Sequence, residues 1–412
     1  MEREQQTAER SVASAGHHLG TYRVIAELAR GDRGVVHLAI QRRPGASTRL
    51  LVLKELRHEL LEEPAILAMF MREARRAASL NHPNVVRTFE VGGDGARRYI
   101  AMEYLDGQPF HRVLSRARQR GTKVPLEFQG AIICSALEGL AYAHGAVDAG
   151  GTPMGIVHRD MSPNNVFVCY DGQVKVLALG IAAIVDSAVE TRAGILKRQM
   201  PYMAPEQAAG TQADARADVF AVGVMLWEAV TGRRWSGAGN DVEASSALPG
   251  ARLAAEHDGA MDDVHEALRA VIRKATALDP SMRHSNAADF LNDLRAALAQ
   301  CRSPRLGQQQ IGRFVEALFA QDRAHLQVAI KEALKSQAQM ASGSYLVSDV
   351  RSAPVPGGPL EPPPLLADVL PSAPPVLPLA ASTHRPPSPM PTPEAVRQML
   401  LAASDEMGIA VD

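Results

Sequence analysis

Cysteine is scarce in this sequence, and a long run of apolar residues is missing altogether. The three cysteines, Cys134, Cys169 and Cys301, lie far apart and form no CxxC pair. This spacing argues against a disulfide framework or a zinc site and favours buried thiols in a reducing compartment. Residues 1–20 contain no apolar core of the kind found in a signal peptide, and no segment approaches the roughly 18 consecutive apolar residues of a membrane span. The sequence therefore predicts a soluble, cytoplasmic protein.

An excess of charge of one sign is also absent. The 412 residues carry a formal net charge of −1, and 22% of them are charged. Nucleic acids and anionic lipid surfaces are bound through a basic field, so this balance predicts neither as a partner. The length allows one large or two modest domains, because a single core stops growing at roughly 250 to 300 residues.

The first half of the chain combines strand patterns with one helix. Residues 1–18 are polar and predicted to be disordered. The runs TYRVIAEL, GVVHLAI and RLLVLKEL predict three strands, and NVVRTFEV and RRYIAMEYL around the turn GGDG predict two more. Between them, EEPAILAMFMREARRAASL repeats apolar residues at helical spacing. A small sheet-rich unit with one prominent helix is therefore predicted for residues 19–105.

Helical periodicity dominates residues 106–302, after the turn DGQP. The segments FQGAIICSALEGLAYAH, DVFAVGVMLWEAV and DVHEALRAVIRKAT repeat apolar residues every three or four positions. Two short strands, NNVFVCY and VKVLAL, are joined by Asp171-Gly172, which is a strong signal for a two-residue hairpin. The predicted fold class is α+β, with a small β-rich lobe followed by a larger helical lobe.

A helical extension is predicted to follow at residues 303–340. Its apolar residues fall on one side of a helix, which favours packing against the helical lobe. These residues are Ile311, Phe314, Val315, Leu318 and Phe319.

The remainder of the chain is rich in proline. Residues 341–393 hold 15 of the 27 prolines and are predicted to be a disordered linker, because proline interrupts helices and sheet interiors. The PxxP spacing at Pro359 and Pro362 would suit a partner that binds proline motifs, although a plain spacer is favoured. Residues 394–412 are predicted to form a short helix or tail.

Two glycines and a lysine in the predicted sheet are candidates for phosphate binding. Gly31 and Gly34 lie between two strand patterns, where glycine lets backbone N–H groups approach a phosphate, although a plain hairpin explains them equally. Lys54 ends an apolar strand, where a lysine needs a partner. Glu73 in the following helix is the candidate partner, and unrelated surface charges are the alternative.

A second group of polar residues follows the long helix of the second lobe. His158, Arg159 and Asp160 are consecutive, and Asn165 stands five residues after Asp160, just before a predicted strand. A fixed aspartate suits proton acceptance from an attacking hydroxyl, and an amide oxygen suits a hard cation. Further along come Ala204-Pro205-Glu206, then Asp218, then Arg283.

Taken in order, these motifs resemble the eukaryotic-like (Hanks-type) serine/threonine protein kinases of bacteria over about residues 20–302. The resemblance implies a bilobal kinase fold that binds ATP and Mg²⁺ between its lobes and acts on a protein substrate or a partner kinase. It implies catalytic roles for Asp160, Lys54, Glu73 and Asn165, with Asn165 also holding metal. It implies structural roles for Glu206, Asp218 and Arg283, the first and last as a buried ion pair.

The resemblance also implies a nucleotide site along the first lobe. Met102 matches the residue that limits the depth of the adenine pocket, and Glu103–Leu105 matches the hinge segment beside adenine. The implied nucleotide-binding residues are Leu28, Gly31, Gly34, Val36, Val52, Lys54, Met102, Glu103 and Leu105. Ser187 and Thr191 are candidate phosphorylation sites in the activation segment, and solvated loop hydroxyls are the alternative for each.

The main departure from the family pattern is at a position where the family has a charged residue. The family's magnesium-binding Asp lies thirteen residues after the Asn, where this chain has Ala178, followed by Leu179 and Gly180. Ala29 replaces the first loop glycine, Val52 replaces a smaller residue, and Ser162 replaces a lysine.

These features leave three candidate functions. One is a pseudokinase that has lost most or all phosphotransfer and acts by binding partners. The second is a working serine/threonine kinase that uses Asp160 and Asn165 without the usual Asp. The third, a small-molecule phosphotransferase, is disfavoured because the Ala204-Pro205-Glu206 segment and the helices after it resemble peptide-substrate machinery.

Overall fold

The structure is a computed structural model that describes residues 17–31, 34–41, 49–56, 64–95, 97–177, 200–211, 213–235, 257–301 and 305–343. The chain divides into two units, residues 1–347 and residues 348–412, and every described residue belongs to the first. The tail predictions for Pro359, Pro362 and residues 394–412 lie outside the described residues. So does the linker predicted for 341–393, except that a helix continues through its first three residues.

The first lobe is a six-stranded antiparallel sheet with one helix. Its strand order is β1-β2-β3-β4-β6-β5. The elements are β1 (His18–Leu19), β2 (Tyr22–Gly31), β3 (Gly34–Gln41), β4 (Arg49–Leu56), helix α1 (Pro64–Ala78), β5 (Thr88–Asp94) and β6 (Arg97–Glu103).

Both faces of this sheet are covered, and the two faces differ. Leu51 and Leu53 face a cluster closed by Leu19 and Tyr22, while Phe70 of α1 packs on the opposite face. Strand β1 lies partly in the segment predicted to be disordered, and that prediction is wrong for His18, which pairs with Arg23. The strand is too short for periodicity to reveal it, and it is stabilised by the core residue that follows His18.

The second lobe is helical around a small three-stranded sheet. The strands, in the order β7-β8-β9, are β7 (Gly107–Pro109), β8 (Val166–Cys169) and β9 (Val174–Val176). The helices are α2 (Phe110–Gln119), α3 (Leu126–His144), α4 (Pro205–Ala208), α5 (Ala215–Thr231), α6 (Glu266–Ala275), α7 (Ala287–Gln300) and α8 (Gln308–Gly343), with short 3-10 helices at Met200–Tyr202 and Pro280–Met282.

The core of this lobe is built on α3 and α5. Every residue of α5 from Ala217 to Trp227 is buried, which explains why its sequence is apolar on all sides. The turn predicted at DGQP is corrected, because Gly107–Pro109 forms strand β7 against β8. An added Cβ on Gly107 would lie 2.3 Å from the Val168 carbonyl oxygen, so this pairing requires glycine.

The β8–β9 hairpin forms where Asp171-Gly172 predicts one, but its loop has three residues, Tyr170, Asp171 and Gly172, rather than the predicted two. The Cys169 N–H donates to the Gln173 carbonyl oxygen at 2.8 Å, and Gly172 takes the left-handed conformation with φ +85°. Strand β9 also joins the lobes, since the Val86 N–H donates to the Val176 carbonyl oxygen at 3.0 Å. The hairpin strand therefore contacts both lobes at Val176.

Helix α8 packs against the second lobe as its apolar side predicts. Ile311, Val315, Leu318 and Phe319 are buried, and the Phe314 ring lies 4.3 Å from that of Phe128 between centroids. The helix begins on the hairpin, where a Cβ on Gly312 would lie 2.2 Å from the Tyr170 carbonyl oxygen.

Replacing Gly312 by Ala is expected to lower the free energy of unfolding by about 1 to 3 kcal/mol, the usual effect of overpacking. The added methyl group would push α8 away from the hairpin, and this outweighs the better helix propensity of alanine. Chemical denaturation would measure the change. Gly259→Ala is the control, because an added Cβ there meets no atom within 4 Å. Equal free energies of unfolding for the two variants would contradict the close packing of α8 on the hairpin at Gly312.

In the part of the chain that the structure describes, no helix is both long and apolar enough to cross a bilayer.

Candidate functional site

Asp218, in the first turn of α5, holds the loop from His158 to Asn165 through hydrogen bonds. The Asp218 carboxylate accepts the backbone N–H groups of His158 and Arg159, both at 2.8 Å, and it lies 2.8 Å from His144 Nε2. Asp218 is 1% exposed. Burial alone would raise its pKa, but the hydrogen bond from His144 and the contributions of His158 lower it below the ordinary value. The buried carboxylate therefore stays ionised and shapes the loop.

The backbone of this loop is strained at Arg159, which has φ +65°. A residue with a Cβ pays of order 1–3 kcal/mol for such a conformation, and it persists only where its surroundings determine it. Asp218 binds the Arg159 N–H, and the Gln207 side chain donates to the Arg159 carbonyl oxygen at 2.9 Å. The strain turns the chain so that Asp160 follows in a fixed position.

Asp160 and Asn165 are brought together at the top of this loop. Asn165 Nδ2 donates to the Asp160 carbonyl oxygen at 2.6 Å and to Asp160 Oδ2 at 2.8 Å. Asp160 is only 7% exposed. Because the amide nitrogen is used inside the loop, Asn165 Oδ1 is the atom of this side chain that can face a cation.

Two hydrogen bonds fix strand β9 against the loop. The Leu177 N–H donates to the Asn165 carbonyl oxygen at 2.9 Å, and the Leu177 carbonyl oxygen lies 2.7 Å from His158 Nε2. A slip of one residue would break both bonds, so the register is set as far as Leu177. The next residues, Ala178, Leu179 and Gly180, lie outside the described residues, as do Ser187 and Thr191.

The first lobe places its candidate residues on the sheet face that carries α1. Val36 pairs with Lys54, and Val52 pairs with Met102, so these four side chains share one face. Leu28 lies at the sheet's second strand and is 39% exposed.

The two candidate glycines pair with each other, at the end of β2 and the start of β3. Gly34 has φ +137°, and an added Cβ would lie 2.0 Å from the Glu55 carbonyl oxygen. Strand packing therefore requires glycine at position 34 whether or not a phosphate binds.

The contact expected between Lys54 and Glu73 is corrected. Among the ion pairs of described residues, the Glu73 carboxylate joins Arg76 and Arg72 of its own helix, both at 3.2 Å, and not Lys54. Arg76 lies three residues after Glu73, so this pair forms within one helical turn without any tertiary adjustment. The catalytic roles inferred for Lys54 and Glu73 stay predictions.

The hinge segment, Glu103–Leu105, is anchored by a contact that the sequence did not reveal. Glu103 Oε1 accepts Lys175 Nζ at 2.6 Å and the Arg87 N–H at 2.8 Å. Lys175 is 7% exposed. The carboxylate of Glu103 is therefore used to attach the hinge to β9. A lysine in the apolar strand VKV was the available signal, because a buried lysine needs a partner.

Glu206 and Arg283 form a buried ion pair, with distances of 2.6 and 2.8 Å. The Arg283 side chain is 0% exposed and also donates to the carbonyl oxygens of Ala277, Leu278 and Arg216. Its guanidinium lies 4.9 Å from the centroid of the Phe220 ring. The pair connects the segment after Tyr202 to the helical core.

The cysteines take no part in this site. Burial raises the pKa of Cys134 to about 11 and that of Cys169 to about 12, so both are protonated at neutral pH. All three are free.

The donor set fits a magnesium ion poorly. Mg²⁺ is usually bound through one or two carboxylates together with substrate phosphates. Asn165 Oδ1 is neutral, and the described part of the chain contains no cluster of three or more His, Cys, Asp or Glu side chains that could hold a metal. A nucleotide fits better, since Lys54, Val52 and Met102 share a face that ends at the hinge segment.

Comparison with known proteins assigns most of the chain to one family. The family model described as "Protein kinase domain" matches residues 22–294. The chain is 37% identical over 304 residues to the tyrosine-protein kinase MasK of Myxococcus xanthus, covering 74% of this chain and 47% of that protein. It is 31% identical over 295 residues to the serine/threonine-protein kinase PknA of Mycobacterium tuberculosis, covering 70% of this chain and 64% of PknA. The chain thus spans about half to two thirds of the length of these relatives.

A solved structure agrees on the fold. The PknI kinase domain of Mycobacterium tuberculosis aligns with a TM-score of 0.52 at 24% identity, covering 69% of this chain and 99% of that domain. The architecture of two lobes, a curled antiparallel sheet followed by a helical lobe, is the kinase fold.

Proposed function

This chain belongs to the protein kinase family, and from that premise we propose that it is a serine/threonine kinase-like signalling protein with lost or weak phosphotransfer. In this proposal it acts by binding a partner kinase or a protein substrate. Its relatives include proteins named as serine/threonine kinases and one named as a tyrosine kinase. The acceptor class therefore also belongs to the proposal.

The observation that carries this proposal is the neutral residue after Leu177. The two hydrogen bonds of Leu177 tie the end of β9 to His158 and Asn165, and the sequence continues with Ala178. Phosphoryl transfer depends mainly on positioning and on charge stabilisation, and a carboxylate at this point normally supplies part of both. An alanine methyl group supplies neither.

The second candidate is an active ATP-dependent serine/threonine kinase. It is favoured by the contact between Asp160 and Asn165, which keeps a buried carboxylate beside an amide oxygen free to face a cation. In this case Asn165 and the nucleotide phosphates would hold the metal without a carboxylate at position 178.

For either candidate we propose ATP at the sheet face described above. Val36, Val52 and Met102 would line the adenine side, with Leu28 and Leu105 at its edges. Gly31 and Gly34 would lie near the phosphates. Mg²⁺ would be needed only by the active form. A cytoplasmic location is part of the same proposal, supported by the three free cysteines.

We expect purified protein to transfer no more phosphate than its Asp160→Asn variant. The assay would use labelled ATP, Mg²⁺ or Mn²⁺, and a generic protein substrate, with phosphoamino acid analysis of any product. The comparison works because Asp160 is the candidate proton acceptor and Asn is nearly isosteric. Transfer by the wild type that disappears in Asp160→Asn would establish the active kinase instead.

A further inference from the structure

Helix α8 follows the matched kinase domain in the chain but is built into its second lobe. The family match ends at residue 294, and α8 begins at Gln308. Its first half buries Ile311, Val315 and Leu318 against the lobe. The helix therefore cannot be removed at the family boundary without exposing core residues.

The middle of α8 reaches the residue that follows the hinge segment. Arg323 Nε and Nη2 both donate to Asp106 Oδ2, at 3.1 and 2.8 Å. Asp106 is the residue directly after the hinge segment. The Arg323 guanidinium also lies 4.5 Å from the centroid of the Tyr170 ring, and its Nη1 donates to Glu316 at 2.6 Å. Three contacts, with Asp106, Tyr170 and Glu316, therefore hold the Arg323 side chain in place.

Asp106 is tied to the small sheet as well. Its carbonyl oxygen accepts the Tyr170 N–H at 2.9 Å, and the Tyr170 hydroxyl accepts Gln108 Nε2 at 2.9 Å. Tyr104 in the hinge has a buried hydroxyl, and no partner for it occurs among the described residues. Burial, with a smaller contribution from Asp106, raises the pKa of Tyr104 to about 12. The Tyr104 hydroxyl is therefore shielded from solvent.

A second ion pair, with α2, holds the same part of α8. Arg116 of α2 pairs with Asp322 at 2.9 Å and lies 4.8 Å from the Phe319 ring centroid. Phe319 is also where α8 departs from helical geometry, with φ −131° and ψ 18°. Adjacent residues Asp322 and Arg323 thus contact α2 and Asp106 respectively.

We propose that α8 is a brace for the hinge and that Arg323 is a positioning residue acting through Asp106. Lys175 of β9 holds Glu103, and Arg323 of α8 holds Asp106. The two contacts together fix the backbone of the hinge segment between them. The effect on a nucleotide rests on the proposed function, whereas the brace itself does not.

Hydrogen exchange of the full chain tests the brace without any ligand. We expect amides of peptides spanning residues 100–109 to exchange about 5-fold faster in Arg323→Gln than in the wild type, which corresponds to a modest coupling. Arg313→Gln, an exposed arginine on the same helix, is the matched control and should leave these peptides unchanged. Equal exchange in Arg323→Gln and the wild type would overturn the brace, as would faster exchange throughout α3.

Nucleotide affinity tests the positioning role. With a fluorescent ATP analogue, Arg323→Gln should raise the Kd about 5-fold. Arg323→Lys should recover part of the affinity, and the exchanged pair Asp106→Arg with Arg323→Asp should recover more than either single change.

The two experiments test the brace and the positioning role of Arg323 separately. Unchanged affinity alongside faster hinge exchange would overturn the positioning role. A wild type that binds no nucleotide would overturn nucleotide binding in the proposed function and, with it, the positioning role. The exchange result would still decide the brace.

Discussion

Replacing Ala178 by Asp is expected to raise phosphate transfer about 100-fold over the wild-type chain, within the range that one electrostatic contact contributes to catalysis. The change places a carboxylate directly after Leu177. The backbone of Leu177 is hydrogen-bonded to the Asn165 carbonyl oxygen and lies beside His158 Nε2. Together with Asn165 Oδ1, it would complete the carboxylate and amide oxygens that suit a hard cation. The rate with labelled ATP and Mg²⁺ measures the gain.

Two matched variants make this result specific. Ala178→Asn adds the same bulk without charge and should leave transfer near the wild-type level. Ala178→Asp combined with Asp160→Asn should lose the gain, because the carboxylate that accepts the proton is then missing. A wild type already as active as Ala178→Asp would refute the pseudokinase interpretation.

Asp218→Asn is expected to lower the free energy of unfolding by about 3 to 5 kcal/mol, as breaking a buried charge network does. The variant removes the charge that two backbone N–H groups and His144 surround, and it places an amide N–H where an acceptor is needed. Denaturant unfolding measures the loss. Asp214→Asn is the control on the same helix, because Asn is an equally good N-cap and the Asp214 side chain is 54% exposed.

The Asp218 contribution should also depend on pH in a predictable direction. The pKa of Asp218 is lowered in the folded chain, so its stabilisation is present above the ordinary carboxyl pKa of about 4. It is lost as the pH falls through the lower folded value. The stability gap between wild type and Asp218→Asn should therefore be widest near neutral pH and shrink below about pH 4. A gap that stays constant would mean that the carboxylate charge is not what stabilises the loop.

The sequence predicted the long elements well and the shortest ones poorly. Helices α3 and α5 are long apolar segments and the β8–β9 hairpin has clear turn chemistry, and each formed where expected. Strands β1 and β7 have two and three residues, so no period can appear in them. They exist because their neighbours in space offer hydrogen bonds.

In the candidate site too, contacts between residues close in the chain were predicted better than contacts between distant residues. Asp160 and Asn165 are close in the chain, so local spacing was enough to bring them together. Glu206 and Arg283 are 77 positions apart, and only the family resemblance linked them before the structure did. Glu73 was assigned to Lys54, but a neighbour on its own helix satisfies its charge instead.

The sequence by itself determined the two-lobed fold, the order of its motifs and the neutral residue at position 178, since these depend on periodicity, spacing and identity. Tertiary structure alone decided how the hinge is held. Arg323 and Asp106 are 217 positions apart, and Lys175 and Glu103 are 72 apart. Such pairs leave no local pattern, because their partners are chosen by which helices and strands pack side by side.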